Sequence, residues 1–424
     1  MDSAARTAVH RAPAESSKPT FREIFAVSEF RALWLAQLLS VGGDQLARVA
    51  MTVLVFDRTH SALWTALTYA VTFLPWVIGG LALSGLADRL PRRQVMVTCD
   101  VARMVLVGLM ALVSLKTPPV LALWIMVVLL FFVTLLDSPF KSARSATLPD
   151  VLPGERYVLG IAVTQTTLQV SMVAGFALGG LVVAVTGVRT ALLIDAATFA
   201  ASAVLVQLWV RQRPVAAKSA GRPSSVAEMA AGVRLVFGDR RLRTLVLLGW
   251  LVAFYIVPMG LAAPYAASFH SSLEIAISTG LLFAAGPLGT SLGAVVLGRL
   301  VPQSSRERLM GALAIAACGL LVLCALQPAF TGALLIIALS GACACYQLAA
   351  NAKFVAAVPP ERRGQAFGLA NGGMQVAQGL WIVLAGAVVS SGMITPATAI
   401  AISGGLGAVL AAALAMSWRS QQAD

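Results

Sequence analysis

Stretches of apolar residues long enough to cross a bilayer recur along this sequence, each closed off by a short cluster of glycine, proline and charge. Hydrocarbon about 30 Å thick takes about 20 residues of helix. Twelve such stretches can be drawn, at 32–56, 64–86, 94–115, 119–140, 157–186, 189–210, 242–268, 274–300, 309–327, 330–356, 365–390 and 394–417. The separators read "DRLPRR", "KTPP", "LPGER", "VPQSSRER" and "PPERRG". Alternating strand patterns are absent, which excludes a membrane barrel. Only 12% of the residues are charged, against about a quarter in a soluble domain. The pattern predicts an all-α integral membrane protein of twelve transmembrane helices, with the lipid bilayer as its solvent.

The formal net charge of +13 raises the question of nucleic acid. The basic residues answer it, because they recur in short groups between apolar runs rather than on one face. With the N-terminus inside, the loops expected outside hold only Arg58, Lys116 and Arg189, and two more basic residues, Arg48 and Arg103, lie within spans. The other 26 of the 31 (31 − 3 − 2) fall on the inner side, as basic residues do in cytoplasmic loops. An even number of spans then puts both ends in the cytoplasm. The boundaries read as a cytoplasmic tail at 1–28, a six-helix half at 29–210, a cytoplasmic linker at 211–241, a second half at 242–417 and a tail at 418–424. The first segment lacks the apolar core of a signal peptide. Within the linker, "RPVAAKSAGRPSS" reads as flexible and "VAEMAAGVRLVF" as a short amphipathic helix on the inner surface.

The halves repeat. "VLPGERYVLGIAVTQTTLQV" recurs as "AVPPERRGQAFGLANGGMQV" at one offset of 206 positions, which places Pro153 on Pro359, Glu155 on Glu361, Arg156 on Arg362 and Gln169 on Gln375. Equivalent spans share an orientation, so the halves are parallel pseudo-repeats, a transporter design with its substrate site between the halves near mid-bilayer.

Catalytic patterns are missing. "GTSLG" fits G-x-S-x-G, but a nucleophile elbow needs a strand, a turn and a nearby histidine. These five residues lie in an apolar helix, and the histidines are His10, His60 and His270. Glycines four apart allow close helix packing instead. There is no P-loop and no H-E-x-x-H. Cys99, Cys318, Cys324, Cys343 and Cys345 all lie in apolar runs and read as small buried hydrophobes. No enzyme activity, metal or cofactor is expected.

What remains is charge within the membrane, which is costly and marks functional positions. Asp44 and Arg48 share a face of the first span at i, i+4, and Asp195 lies on the sixth. These three are the candidates for proton coupling, with a self-neutralising Asp44–Arg48 pair as the other reading. Asp100 with Arg103 and Asp137 with Lys141, near inner span ends, suit a gate whose pairs break and reform as the halves move. Gln165, Gln169, Asn371 and Gln375 are candidates for a polar cavity wall, with interhelical hydrogen bonding as the alternative. Tyr255 and Tyr346 are aromatic wall candidates.

"GLADRLPRR", between spans two and three, resembles the loop signature of the major facilitator superfamily of secondary transporters. Gly85, Asp88, Arg89, Arg92 and Arg93 fit it, and Pro91 stands where a glycine is usual. The resemblance covers residues 30–417. "FRALWLAQLLSVGGDQLARVAMTVLVFDRTHSALWTAL" and "DSPFKSARSATLPDVLPGER" look most like the drug:proton antiporter branch of enterobactin-exporter-like and macrolide-efflux-like proteins. In "SMVAGFALGG" on span five, Gly175, Gly179 and Gly180 match the helix-packing motif of that branch, whereas Ser171 and Phe176 replace its glycine and proline. The resemblance implies a monomeric transporter in the inner (plasma) membrane that exports amphipathic small molecules in exchange for protons. It also implies an inner gate at Gly85, Asp88, Arg89, Arg92 and Arg93, with Asp88 latching onto the start of span eleven near Gly364 and Gln365. An uptake permease of the same fold, or a transporter-like protein that moves nothing, are the competing readings.

Overall fold

The computed structural model describes residues 19–75, 78–79, 90–116, 119–213, 226–269 and 272–423, and all its regular elements are helical. Lipid offers backbone groups no hydrogen-bond partner, and a helix meets that demand within a single segment. A short helix, α1 (Phe21–Ala26), leads into α2 (Ser28–Thr59), α3 (Ala62–Ala70), α4 (Arg92–Lys116), α5 (Pro119–Val151) and α6 (Glu155–Trp209). The linker carries α7 (Val226–Gly238), so the amphipathic segment is helical; its neighbours 214–225 lie outside the described residues. The second half contains α8 (Arg240–Trp250), α9 (Ser272–Leu300), α10 (Gln303–Gly319), α11 (Phe330–Cys343), α12 (Tyr346–Ala357), α13 (Arg363–Ser390) and α14 (Pro396–Ala423).

Among the described residues, ten helical segments are long and apolar enough to span a membrane, against the twelve expected. One of them, α6, has 55 residues, about 82 Å of helix and more than two bilayer crossings. It is broken at Gly187, whose φ of 81° and ψ of 164° reverse the chain, a conformation glycine adopts without penalty. The expected span 64–86 begins as α3 and then runs into residues outside those described.

Span seven is fragmented, and its sequence explains why. After α8 come three short pieces, Val252–Tyr255, Val257–Gly260 and Ala262–Ala267. Pro258 lacks an N–H and releases the carbonyl four residues earlier, that of Phe254. The Ser403 hydroxyl of α14 donates to that carbonyl at 2.8 Å and accepts from the Trp381 indole at 2.7 Å. A neighbouring helix thus completes the backbone that proline leaves open.

Each half has its own apolar core. In the first, Met51, Met110, Met126 and Phe199 are buried together; in the second, Leu248, Met310, Tyr346 and Phe354 are. "GTSLG" lies in α9, where a Cβ at Gly289 or Gly293 would overlap the backbone of α11 at Ala338 or Ala342. The glycines serve close packing. The large apolar side chains left exposed, such as Leu178, Val185, Leu335 and Leu380, match a hydrocarbon surrounding.

The halves meet at the end of the bundle away from the chain termini. There Ser61 and Ser390 are hydrogen bonded at 3.2 Å, and the Leu63 amide donates to the Ser390 hydroxyl at 2.7 Å. Phe176 stacks on Phe283 at 5.0 Å between centroids, and Tyr69 stacks on the same ring at 5.5 Å. Gly180 of α6 and Gly280 of α9 approach so closely that a side chain on either would strike the other helix. The separation of small and stacked groups matches how membrane helices gain packing contact without a hydrophobic drive.

Candidate functional site

Arg103 of α4 is the centre of a buried charge network in the first half. Only 1% of the residue is exposed. Its Nη2 lies 2.8 Å from both carboxylate oxygens of Asp44 on α2. Its Nη1 is 3.7 Å from Asp137 of α5, 4.0 Å from Asp100 and 3.3 Å from the Ser40 hydroxyl. The guanidinium also faces the Phe199 ring at 4.1 Å. Asp137 is held in turn by Lys141 at 2.7 Å, and the Ser202 hydroxyl donates to Asp100 at 2.5 Å.

Helix geometry assembles this group. Asp100 and Arg103 are one turn apart on α4, as are Asp137 and Lys141 on α5, so each pair shares a face. Those faces turn toward α2 at mid-helix, where Asp44 stands. Four of the residues expected at the gate, Asp100, Arg103, Asp137 and Lys141, therefore form one cluster with Asp44, one of the acids expected for proton coupling. The expected Asp44–Arg48 pairing is not what forms: Asp44 is bidentate to Arg103, while Arg48 lies over the Tyr69 ring at 5.6 Å. Spacing on one helix suggested the pair, but Arg103 on a neighbouring helix brings one nitrogen, Nη2, to both oxygens of Asp44 and keeps Nη1 for Ser40 and Asp137.

Asp195 is 1% exposed on the second arm of α6. Its Oδ1 accepts from Thr198 at 3.4 Å, and its Oδ2 is buried without a hydrogen-bond partner. It lies against Gly43 of α2, where any side chain would collide with it and with Thr198. Asp195 thus packs against α2 beside Asp44, which projects from that helix to Arg103.

The other expected residues are distributed as follows. Gly85, Asp88 and Arg89 lie outside the described residues. Arg92 donates to the Ala146 carbonyl at 2.7 Å and pairs with Asp150 at 2.8 Å; Arg93 donates to Gln207 at 3.3 Å. Both tie the start of α4 to its own half. The start of span eleven, near Gln365, is approached closely by Gly232 of α7. Gln165, Gln169 and Asn371 are exposed, and Gln375 accepts from Gln378 at 3.1 Å. Tyr255 is hydrogen bonded to Gln347. Tyr346 corrects the expectation of a cavity wall: its ring is wholly buried and its hydroxyl donates to the Leu248 carbonyl at 2.8 Å, so in this state it presents no surface to a ligand. Gly175 approaches Gly42 and Gly179 approaches Leu46, both on α2, so this motif packs α6 on α2, while Gly180 packs it on the second half.

Sequence reading missed three participants. Ser40, Ser202 and Phe199 complete the Arg103 and Asp100 shells, and nothing in their local sequence marks them. Phe176 was noted as a departure from a motif, not as half of a stack.

A bundle of membrane-spanning helices in two halves, joined at one end and carrying a charge network in its interior, is the architecture of a membrane transporter rather than an enzyme. The model of the Major Facilitator Superfamily matches residues 33–340 and 258–423, and the chain belongs to that family. It is 29% identical over 326 residues to the enterobactin exporter EntS of Salmonella choleraesuis (strain SC-B67), covering 74% of this chain and 73% of that one. It is 22% identical over 365 residues to macrolide efflux protein A of Streptococcus pyogenes, covering 84% and 88%. The fold is similar to that of the nucleoside transporter NupG, with a TM-score of 0.73 at 15% identity over 92% of this chain and 98% of that one. It also resembles a bacterial homologue of the iron transporter ferroportin in its inward-facing state, with a TM-score of 0.68 at 15% identity over 94% and 100%. The chain is thus a multi-pass membrane transporter with relatives of the efflux type.

Proposed function

We propose that this chain is a twelve-span secondary active transporter that exports amphipathic small organic molecules in exchange for protons. The count joins the ten described segments, the division of α6 at Gly187 and the span begun by α3. Both termini lie in the cytoplasm, and the membrane is the inner (plasma) membrane. The halves rock about the substrate, and the seam formed by Ser61, Tyr69, Phe176, Phe283 and Ser390 closes the outer side. The Gly85–Arg93 loop closes the inner side in the opposite state. The export direction is supported by the relatives, whose names describe an exporter and an efflux protein.

The observation that carries coupling is the balance of charge around Arg103. Three carboxylates, Asp44, Asp100 and Asp137, are within pairing distance of two cations, Arg103 and Lys141. Among these five groups the carboxylates outnumber the cations by one, and a proton taken up by one of them evens the count. Burying an unbalanced charge is strongly unfavourable, so gain or loss of that proton shifts which carboxylate Arg103 holds. Since the carboxylates sit on three helices, such a shift moves helices.

Drug susceptibility in a pump-deficient host tests the reading. Expression of the wild-type chain should lower accumulation of at least one amphipathic compound in a manner abolished by an uncoupler, and Asp44→Asn should remove the effect. Unchanged accumulation of every compound tried, with the protein present in the membrane, overturns it.

A further inference from the structure

Arg48 is close enough to act on the charge of Asp137, yet it forms no ion pair with a carboxylate of the Arg103 network. It stands one turn beyond Asp44 on α2 and is half-buried. The carboxylates of the first half are committed elsewhere: Asp44 to Arg103, Asp137 to Lys141 and Arg103, and Asp100 to Ser202. Asp195 faces Gly43 and Thr198, and at 100° per residue Gly43 and Arg48 are about 140° apart around α2. What Arg48 does meet is the face of Tyr69, 5.6 Å from its guanidinium carbon.

That contact lies where the two halves join. The Tyr69 hydroxyl donates to the Met259 sulfur at 3.4 Å and its ring stacks on Phe283, both from the second half. Phe73 packs edge-on against the same tyrosine at 5.5 Å. A charge is retained in a membrane interior only where a partner or a function holds it, and an aromatic face is a weaker partner for arginine than a carboxylate. Among the described residues, Arg48 has the first and lacks the second.

We infer that Arg48 is a subsite for an anionic head group, a carboxylate or sulfonate, on the exported amphipath, reached when the seam that buries Tyr69 opens. The guanidinium fork matches such a planar, two-oxygen group, and Tyr69, buried here between Arg48 and Phe283, meets the apolar remainder only once the halves part. The subsite rests on the exporter reading and narrows it, naming amphipathic anions as preferred cargo.

Equilibrium binding to the purified full-length chain in detergent tests this, with 1-pyrenebutyrate and its neutral amide, 1-pyrenebutanamide, as matched probes. The wild-type chain should favour the carboxylate by about tenfold or more, the scale of one charged hydrogen-bonded contact. Arg48→Gln should bring the two affinities together, and Arg48→Lys should keep part of the difference; thermal unfolding of each variant checks that it is folded. No preference in the wild-type chain, or an undiminished preference in Arg48→Gln, overturns the subsite. Efflux of the cationic dye rhodamine 6G by the wild-type chain is measured separately. Efflux without any carboxylate preference removes the subsite and leaves the exporter standing, whereas no efflux of any amphipath removes the exporter reading whatever the binding gives.

Discussion

Arg103 grips both oxygens of Asp44 at 2.8 Å across the interface of α4 and α2, while Arg48, one turn from Asp44 on its own helix, turns to Tyr69 instead. The bidentate pair is the tie between the first helix and the gate charges. Removing the cation leaves Asp44 without an ion-pair partner and deprives Asp100 and Asp137 of one, and loss of one partner from a buried pair costs about 3–5 kcal/mol. Arg103→Gln should therefore lower the unfolding midpoint in detergent and abolish export. Arg103→Lys keeps the charge but not a second nitrogen for Ser40 and Asp137, so it should recover stability in part and transport poorly. Equal thermal stability of wild type and Arg103→Gln would show that the network does not hold the fold.

The seam between halves makes a direct geometric prediction. The Ser61 and Ser390 hydroxyl oxygens are 3.2 Å apart, so cysteines at these positions would bring their sulfurs to neighbouring places. The double variant Ser61→Cys, Ser390→Cys should cross-link under mild oxidation. Cross-linking should stop export, and reduction should restore it. Mass spectrometry of the peptides containing residues 61 and 390 checks the bond. Free thiols at both positions after oxidation would place the seam elsewhere.

Ser403 offers a test of the broken seventh span. Its hydroxyl serves two groups, the carbonyl released by Pro258 and the Trp381 indole. Ser403→Ala strands both, and each buried polar group left unpaired costs about 1–3 kcal/mol. The expected result is a clear drop in thermal stability. Pro258→Ala on the same background should return part of it, because the Phe254 carbonyl regains a backbone donor. Additive losses in the double variant would break this link.

The membrane class, the positions of most spans and the linker helix could be read from the sequence because each depends on local composition. Hydrocarbon imposes a length, and Leu, Val and Ala answer it within one segment. Contacts between segments are another matter. The spacing of Asp44 and Arg48 suggested a pair, yet the rotation of α4 delivers Arg103 with better geometry, and rotation about a helix axis is set by packing against all neighbours at once. Ser40 and Ser202 are ordinary small polar residues until α4 is placed beside them. Tyr346 carries the same letter whether it lines a cavity or, as here, spends its hydroxyl on the Leu248 carbonyl in the core.

Phe176 joins a departure in the sequence to a contact in the structure. It occupies the position where the resembling motif has proline, and its ring stacks on Phe283 across the halves at an interplanar angle of 13°. Phe176→Pro restores the motif but removes the ring, deletes an N–H and releases the Met172 carbonyl. A proline inside a helix costs about 3 kcal/mol or more unless neighbours satisfy the freed group, and an aromatic pair contributes about 0.5–1.5 kcal/mol beyond its burial. The variant should thus be less stable and should hold the outer seam less firmly. Labelling of a cysteine placed at Ala276, which is buried against the first half and outside the stack, by an impermeant thiol reagent added outside reads the seam directly. Faster labelling in the Phe176→Pro background, compared with Phe176→Leu, would assign the effect to backbone as well as ring. Equal labelling in Phe176→Pro and the parent would mean that the stack does not keep the outer side shut.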